Sequence, residues 1–184
     1  MTTSLKDYVQ KLLEEHRGER VFRFEYLGKH YWLKQPEQLK GIWLLLKPYP
    51  KQHFKEECEI LQHLNNIGAP VPKLCGFGDD YLVLEDAGPT LNIWLNDETL
   101  SWAEKSHILH SAIEILINLH QKGIIHGRPA IRDIAWKEGK ITFMDFESHS
   151  KSHNEHWLIT RDMLAFLDSL CRVKSLDDEK LNEL

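Results

Sequence analysis

The sequence predicts an α+β fold in two lobes. Strand-type alternation dominates residues 21–85, helical periodicity dominates residues 91–171, and a breaker cluster, Asp86-Ala87-Gly88-Pro89, separates the two stretches. At 184 residues the chain is long enough to bury a sizeable core as one domain. Residues 1–86 form the first lobe with an N-terminal helix, and 87–184 a reduced, mainly helical second lobe.

Leu5 to His16 reads as a helix capped by Ser4, with Leu5, Tyr8, Val9, Leu12 and Leu13 on one stripe. Val21 to Tyr26 and His30 to Lys34 alternate around Leu27-Gly28-Lys29, which predicts a hairpin. Gln35 to His53 carries three prolines and reads as irregular. Phe54 to Asn65 is helical and ends near Gly68-Ala69-Pro70. Leu74 to Gly78 and Tyr81 to Glu85 form a strand pair around Asp79-Asp80. Helices follow at Leu91 to Asn96 and at Ser101 to Gln121, the latter opened by the capping signature Ser101-Trp102-Ala103-Glu104. A loop at Gly123 to Arg132, a hairpin at Ile134 to Phe146, a polar loop at Ser148 to Glu155 and a helix at Trp157 to Cys171 complete the pattern.

Composition narrows the function classes. A net charge of −5 argues against a dedicated nucleic-acid binder. Cys58, Cys75 and Cys171 are widely spaced and form no disulfide-like or zinc-like framework, which points to a reducing compartment. There is no apolar signal core and no run of membrane-span length, so the cytoplasm is the expected location. The Gly41 to Leu46 run with Lys47 reads as core packing in preference to a peripheral membrane contact.

Two acidic positions carry the first chemical signal. Asp133 and Asp145 each lie six residues from Gly139, so a hairpin centred on that glycine places them opposite each other at its open end. Like charges so placed need a cation, and a hard ion such as Mg²⁺ suits carboxylate oxygens. Backbone hydrogen bonds, or pairing with Arg128 or Arg132, would satisfy them equally well. A second signal is Glu57, which shares the apolar stripe of Phe54, Cys58, Leu61 and Leu64. It is either solvated at the edge of the stripe or paired, and Lys34 is the candidate partner.

Together these pieces resemble the protein-kinase-like family. Tyr31-Trp32-Leu33-Lys34 resembles the strand that carries the phosphate-contacting lysine, and Glu57 matches the helix glutamate that pairs with it. Leu82 to Ala87 resembles the strand and hinge whose backbone binds adenine. Leu119 to Gly127 resembles the approach to the catalytic loop, and Asp145-Phe146-Glu147 stands where the family has Asp-Phe-Gly. Arg161 to Leu167 resembles the helix whose aspartate, Asp162 here, braces that loop. The resemblance spans Phe22 to Val173. It is strongest to small atypical bacterial members, among them lipopolysaccharide-core sugar kinases and tRNA-modification-complex kinases.

The resemblance implies a reduced two-lobed kinase fold that uses ATP and Mg²⁺. It implies nucleotide binding at Lys34, Glu57, Glu85 and Ala87, metal binding at Asp133 and Asp145, and catalysis by Arg128, Asp133 and Asp145. The departures are specific. The H-R-D-x-x-x-x-N pattern places a base two residues after the histidine and a metal-binding Asn seven after it. Those positions hold Arg128, which is no base, and Asp133. Ala130 stands where many members carry a lysine, and no Gly-rich loop precedes Lys34. Three readings follow: a phosphotransferase acting on a small molecule, a glycan or a protein; a pseudokinase that binds nucleotide or a protein partner; and a nucleotide-binding fold with another transfer chemistry. His149, His153 and His156 match no zinc spacing and read as a solvated loop.

Overall fold

The structure, a computed structural model, describes residues 4–37, 50–146, 154–174, 176 and 180. The Gly41 to Leu46 run, Lys47, Glu147, His149 and His153 lie outside the described residues. The chain divides into two compact units, Met1–Ile67 with Pro72–Asp86, and Gly68–Val71 with Ala87–Leu184.

The first unit contains α1 (Leu5–Glu15), β1 (Val21–Tyr26), β2 (Lys29–Lys34), α2 (Pro50–Asn66), β3 (Leu74–Gly78) and β4 (Tyr81–Glu85). The strands form one antiparallel sheet in the order β1-β2-β4-β3. The β1–β2 hairpin closes through Leu27 and Gly28, at φ 50° and 74°. Two consecutive positive φ values match the right-handed twist of the flanking strands. Ser4 caps α1 by accepting the Asp7 N–H at 3.2 Å. From α1, Val9 and Leu12 are buried in one cluster with Phe24, Tyr31, Leu33 and Val83. Side chains alternate across a strand, so Leu82 and Leu84 belong to the opposite face from Val83. The buried stripe of α2 is Phe54, Cys58, Leu61 and Leu64, and α2 lies against β3. The helix starts at Pro50, a turn earlier than the Phe54 expected from periodicity, because proline is well tolerated in a first turn that lacks N–H partners anyway.

The second unit contains α3 (Leu91–Leu95), α4 (Trp102–Gln121), a 3₁₀ turn (Ile131–Asp133), β5 (Ile134–Lys137), β6 (Lys140–Phe143) and α5 (Glu155–Cys171). A complete capping box opens α4, Ser101 Oγ accepting the Glu104 N–H while Glu104 accepts the Ser101 N–H. Leu91, Leu95, Leu109, Leu116, Ile134, Phe143, Phe166 and Leu170 are its largest fully buried apolar side chains.

The β5–β6 register corrects one expectation. Lys137 pairs with Lys140 and Ile134 with Phe143, so the residue across from Asp133 is Met144, whose N–H donates to the Asp133 carbonyl at 2.7 Å. Asp145 is offset by one. The turn is made of two residues, Glu138 and Gly139, both at positive φ, and its centre falls between them instead of on the glycine. The strand also stops at Phe143, short of the expected Phe146, because Asp145 turns into the left-handed region at φ 59°.

Candidate functional site

In the first unit the site begins with Lys34. It ends β2 opposite Leu82, and the alternation of β2 turns it away from the face of Leu33. Its Nζ lies 2.5 Å from Oε1 of Glu57 on α2, and both side chains are half-buried. The pair therefore satisfies the carboxylate that the apolar stripe carries. Beside it opens a cavity of about 300 Å³ lined by Arg20, Lys34, Gln35, Glu37, His53 and Glu57. Arg20 pairs with Glu37 across 2.8 Å. Glu85 is the last residue of β4, its N–H bonded to the Lys73 carbonyl and its carboxylate 3.8 Å from Lys29. Ala87 opens the second unit in a segment without regular structure.

In the second unit the organising residue is Asp162 on α5, which is wholly buried. Its Oδ2 accepts the His126 N–H at 2.8 Å and its Oδ1 the Gly127 N–H at 2.9 Å. His120 Nε2 lies 3.2 Å from the same Oδ2. Burial pushes this carboxyl up, yet the bonds from His120, His126 and Gly127 outweigh it and hold the acid below its ordinary range. His126 is also buried. The Arg128 N–H points at its Nδ1 across 3.4 Å, which leaves Nε2 as the protonated nitrogen, donating to the Met144 carbonyl at 2.8 Å. Its ring lies 4.5 Å from that of Phe146. One histidine thus ties the Gly127-Arg128 loop to the residues flanking Asp145.

Asp133, Asp145 and Arg128 are electrostatic neighbours. Burial pushes the Asp133 carboxyl up, the Asp145 charge adds to the rise, and Arg132 and Arg128 pull it partly back. The Arg132 Nε lies 3.6 Å from Asp133 Oδ2. The Asp145 charge and the two arginines therefore act on Asp133 at once. His120 carried no assigned role in the sequence, although a histidine on the apolar stripe of Ala112, Leu116 and Leu119 requires a partner and signals one.

A family model described as the RIO domain matches residues 47–177. The chain belongs to the RIO domain family. RIO domains are atypical protein-kinase-like domains, and on that membership the chain is an atypical kinase-like, ATP-binding protein. The match takes in Glu57, Glu85, Ala87, Arg128, Asp133 and Asp145 and begins after Lys34. A Haemophilus influenzae protein titled "Uncharacterized protein" is 51% identical over 173 residues, which cover 94% of this chain and 72% of that protein. Among the described residues no helix is long and apolar enough to cross a membrane.

The donor set fits the Mg²⁺ that kinase-like chemistry uses. Among the described residues no three His, Cys, Asp or Glu side chains gather as a self-sufficient metal cage. Mg²⁺ needs none in such sites, since one or two carboxylates complete its shell with nucleotide phosphates and water. Asp133 and Asp145 would supply such a pair, and the Asp145 charge that adds to the proton affinity of Asp133 is one that a divalent cation would offset.

Proposed function

We propose that this chain is an ATP-dependent phosphotransferase with a rearranged catalytic loop. ATP supplies the phosphoryl group, and Mg²⁺ neutralises charge on its phosphates. Lys34, positioned by Glu57, holds phosphate oxygens, while Glu85 and Ala87 offer backbone groups to the base. Asp145 holds the metal. Asp133 either shares that metal or takes the acceptor hydroxyl proton as the acceptor oxygen bonds to the γ-phosphorus and the bond to the ADP oxygen breaks. Arg128 stabilises the charge spread over the transferring group. The acceptor is a small molecule, a glycan or a protein, and the reaction runs in the cytoplasm.

The observation that carries this reading is the environment of Asp133. A carboxylate with raised proton affinity, beside a second carboxylate and an arginine, stands seven residues after His126, on the loop where the family's base is absent. Phosphoryl transfer depends chiefly on positioning and charge stabilisation, so a displaced base is compatible with turnover. The test is ATP turnover with added acceptors. Asp145→Ala should abolish it, and Asp133→Ala should lower it at least ~100-fold. Turnover unchanged in Asp145→Ala would overturn the reading. Arg128 in the base position favours a second reading, a pseudokinase that holds nucleotide without transfer. Mg²⁺-dependent ATP binding with no turnover on any acceptor would select it.

A further inference from the structure

We propose that the second unit carries an anion-binding groove beside the Arg128 loop, and that its occupant is the acceptor, a small molecule bearing a carboxylate or a phosphate. The assignment as acceptor rests on the phosphotransfer reading above; the binding of an anion does not.

The groove has a volume of about 450 Å³. That lies within the range of small-molecule sites. One wall is the segment from Arg128 to the 3₁₀ turn, which brings Arg128 and Arg132. The other is the last turns of α5, which bring Asp168 and Arg172. Three arginines and one aspartate thus line the groove, in a chain whose net charge is −5. The concentration of positive charge is local and runs against the composition. Between the walls Ala130, Ala165 and Val173 present only small side chains, which keeps the volume open.

Arg132 and Arg172 keep donors for a ligand. Asp168 takes the Nε and Nη2 protons of Arg172 at 2.9 and 3.0 Å. A guanidinium has five N–H groups, so this pairing leaves donors for a second oxyanion. Arg132 is largely exposed and only 3.6 Å from Asp133, a loose contact that an incoming anion can share. The planar fork of arginine matches carboxylate and phosphate oxygens two at a time, which suits an oxyanion better than a halide or a neutral polyol. The location links the groove to the chemistry, because Arg128 and Arg132 are the two cations that act on Asp133.

The test is calorimetric titration of the full chain with inorganic phosphate, glycerol 3-phosphate, gluconate and, as a neutral control, glycerol. At least one anionic probe should bind where glycerol does not. The Arg132→Gln/Arg172→Gln double variant should weaken it at least tenfold, and Asp168→Asn, which removes the competing carboxylate, should strengthen it. Opposite responses of the two variants separate a site from a folding defect, and circular dichroism of both checks the fold. No anion binding, or binding equal in the wild type and the double variant, overturns the groove. The two readings fail separately. If the anion binds and ATP does not, the phosphotransfer reading falls and the groove stands as an anion site without an acceptor role. If ATP binds with Mg²⁺ and the double variant keeps full anion affinity, the groove alone falls.

Discussion

Asp162 and Asp133 are two half- to fully buried carboxylates whose surroundings drive them in opposite directions. Asp162 is held by two backbone N–H groups and His120, so its carboxylate form is the stable one. Its folded value lies below the unfolded one, so its contribution is complete above the ordinary aspartate range and is lost as pH falls through the folded value. Asp162→Ala would strand two buried N–H groups, and a cost of about 3–5 kcal/mol in denaturant unfolding is expected. Asp133 has the reverse sign. Its raised value means that the unliganded protein is favoured below the ordinary aspartate range, and that this stability is lost as pH rises through the folded value. Asp133→Asn should therefore stabilise the unliganded protein at neutral pH and flatten its pH profile between those limits. A stability loss at neutral pH in that variant, measured without metal, would mean that burial and the Asp145 charge do not govern Asp133.

At the scale of elements, α1 tests how the first unit is built. Leu12 is buried against the sheet with Val9, Phe24 and Leu33, and Leu12→Ala should cost about 2–5 kcal/mol if the helix is part of that core. An effect under ~0.5 kcal/mol would make α1 an appendage. The β5–β6 turn offers a gain instead. Glu138 sits at φ 51°, where an asparagine is better tolerated, so Glu138→Asn should raise stability by up to about 1 kcal/mol. These elements were legible because their signals are local: Ser4 and Ser101 are caps, and the alternation around Leu27-Gly28 is a hairpin signature. The β5–β6 register was not, since a turn centred on one residue and a turn made of two differ by a single position that composition does not reveal. The Lys34–Glu57 contact was legible for a different reason: the stripe alone left Glu57 solvated or paired, and the resemblance to kinase-like proteins supplied the pairing. The groove walled by Arg132 and Arg172 was not, because each arginine alone reads as ordinary surface charge and only the packing of α5 beside the 3₁₀ turn groups them.

For the whole molecule, the sharpest consequence is linkage between ligand and stability. A ligand that binds only the folded chain stabilises it by about 2.7 kcal/mol at ~100 times its Kd. ATP with Mg²⁺ should raise the unfolding midpoint on that scale, and ATP without Mg²⁺ should do so less, because Asp133 and Asp145 would then face the phosphates as bare negative charges. Lys34→Ala and Asp145→Ala lie in different units of the chain and share no element. If both residues serve the nucleotide, each alone should erase most of the ATP-dependent rise. Arg172→Gln should leave that rise intact, as Arg172 lines the groove and pairs with Asp168, away from the residues assigned to nucleotide and metal. Ionic strength supplies an independent axis. Anion binding at exposed guanidinium groups is screened within about 10 Å at 0.1 M salt. Affinity of the groove should fall steeply as salt increases, whereas Mg²⁺-dependent nucleotide binding, anchored by the half-buried Lys34–Glu57 pair, should fall less. An affinity of the groove that does not change with salt would mean that its guanidinium groups do not carry the binding.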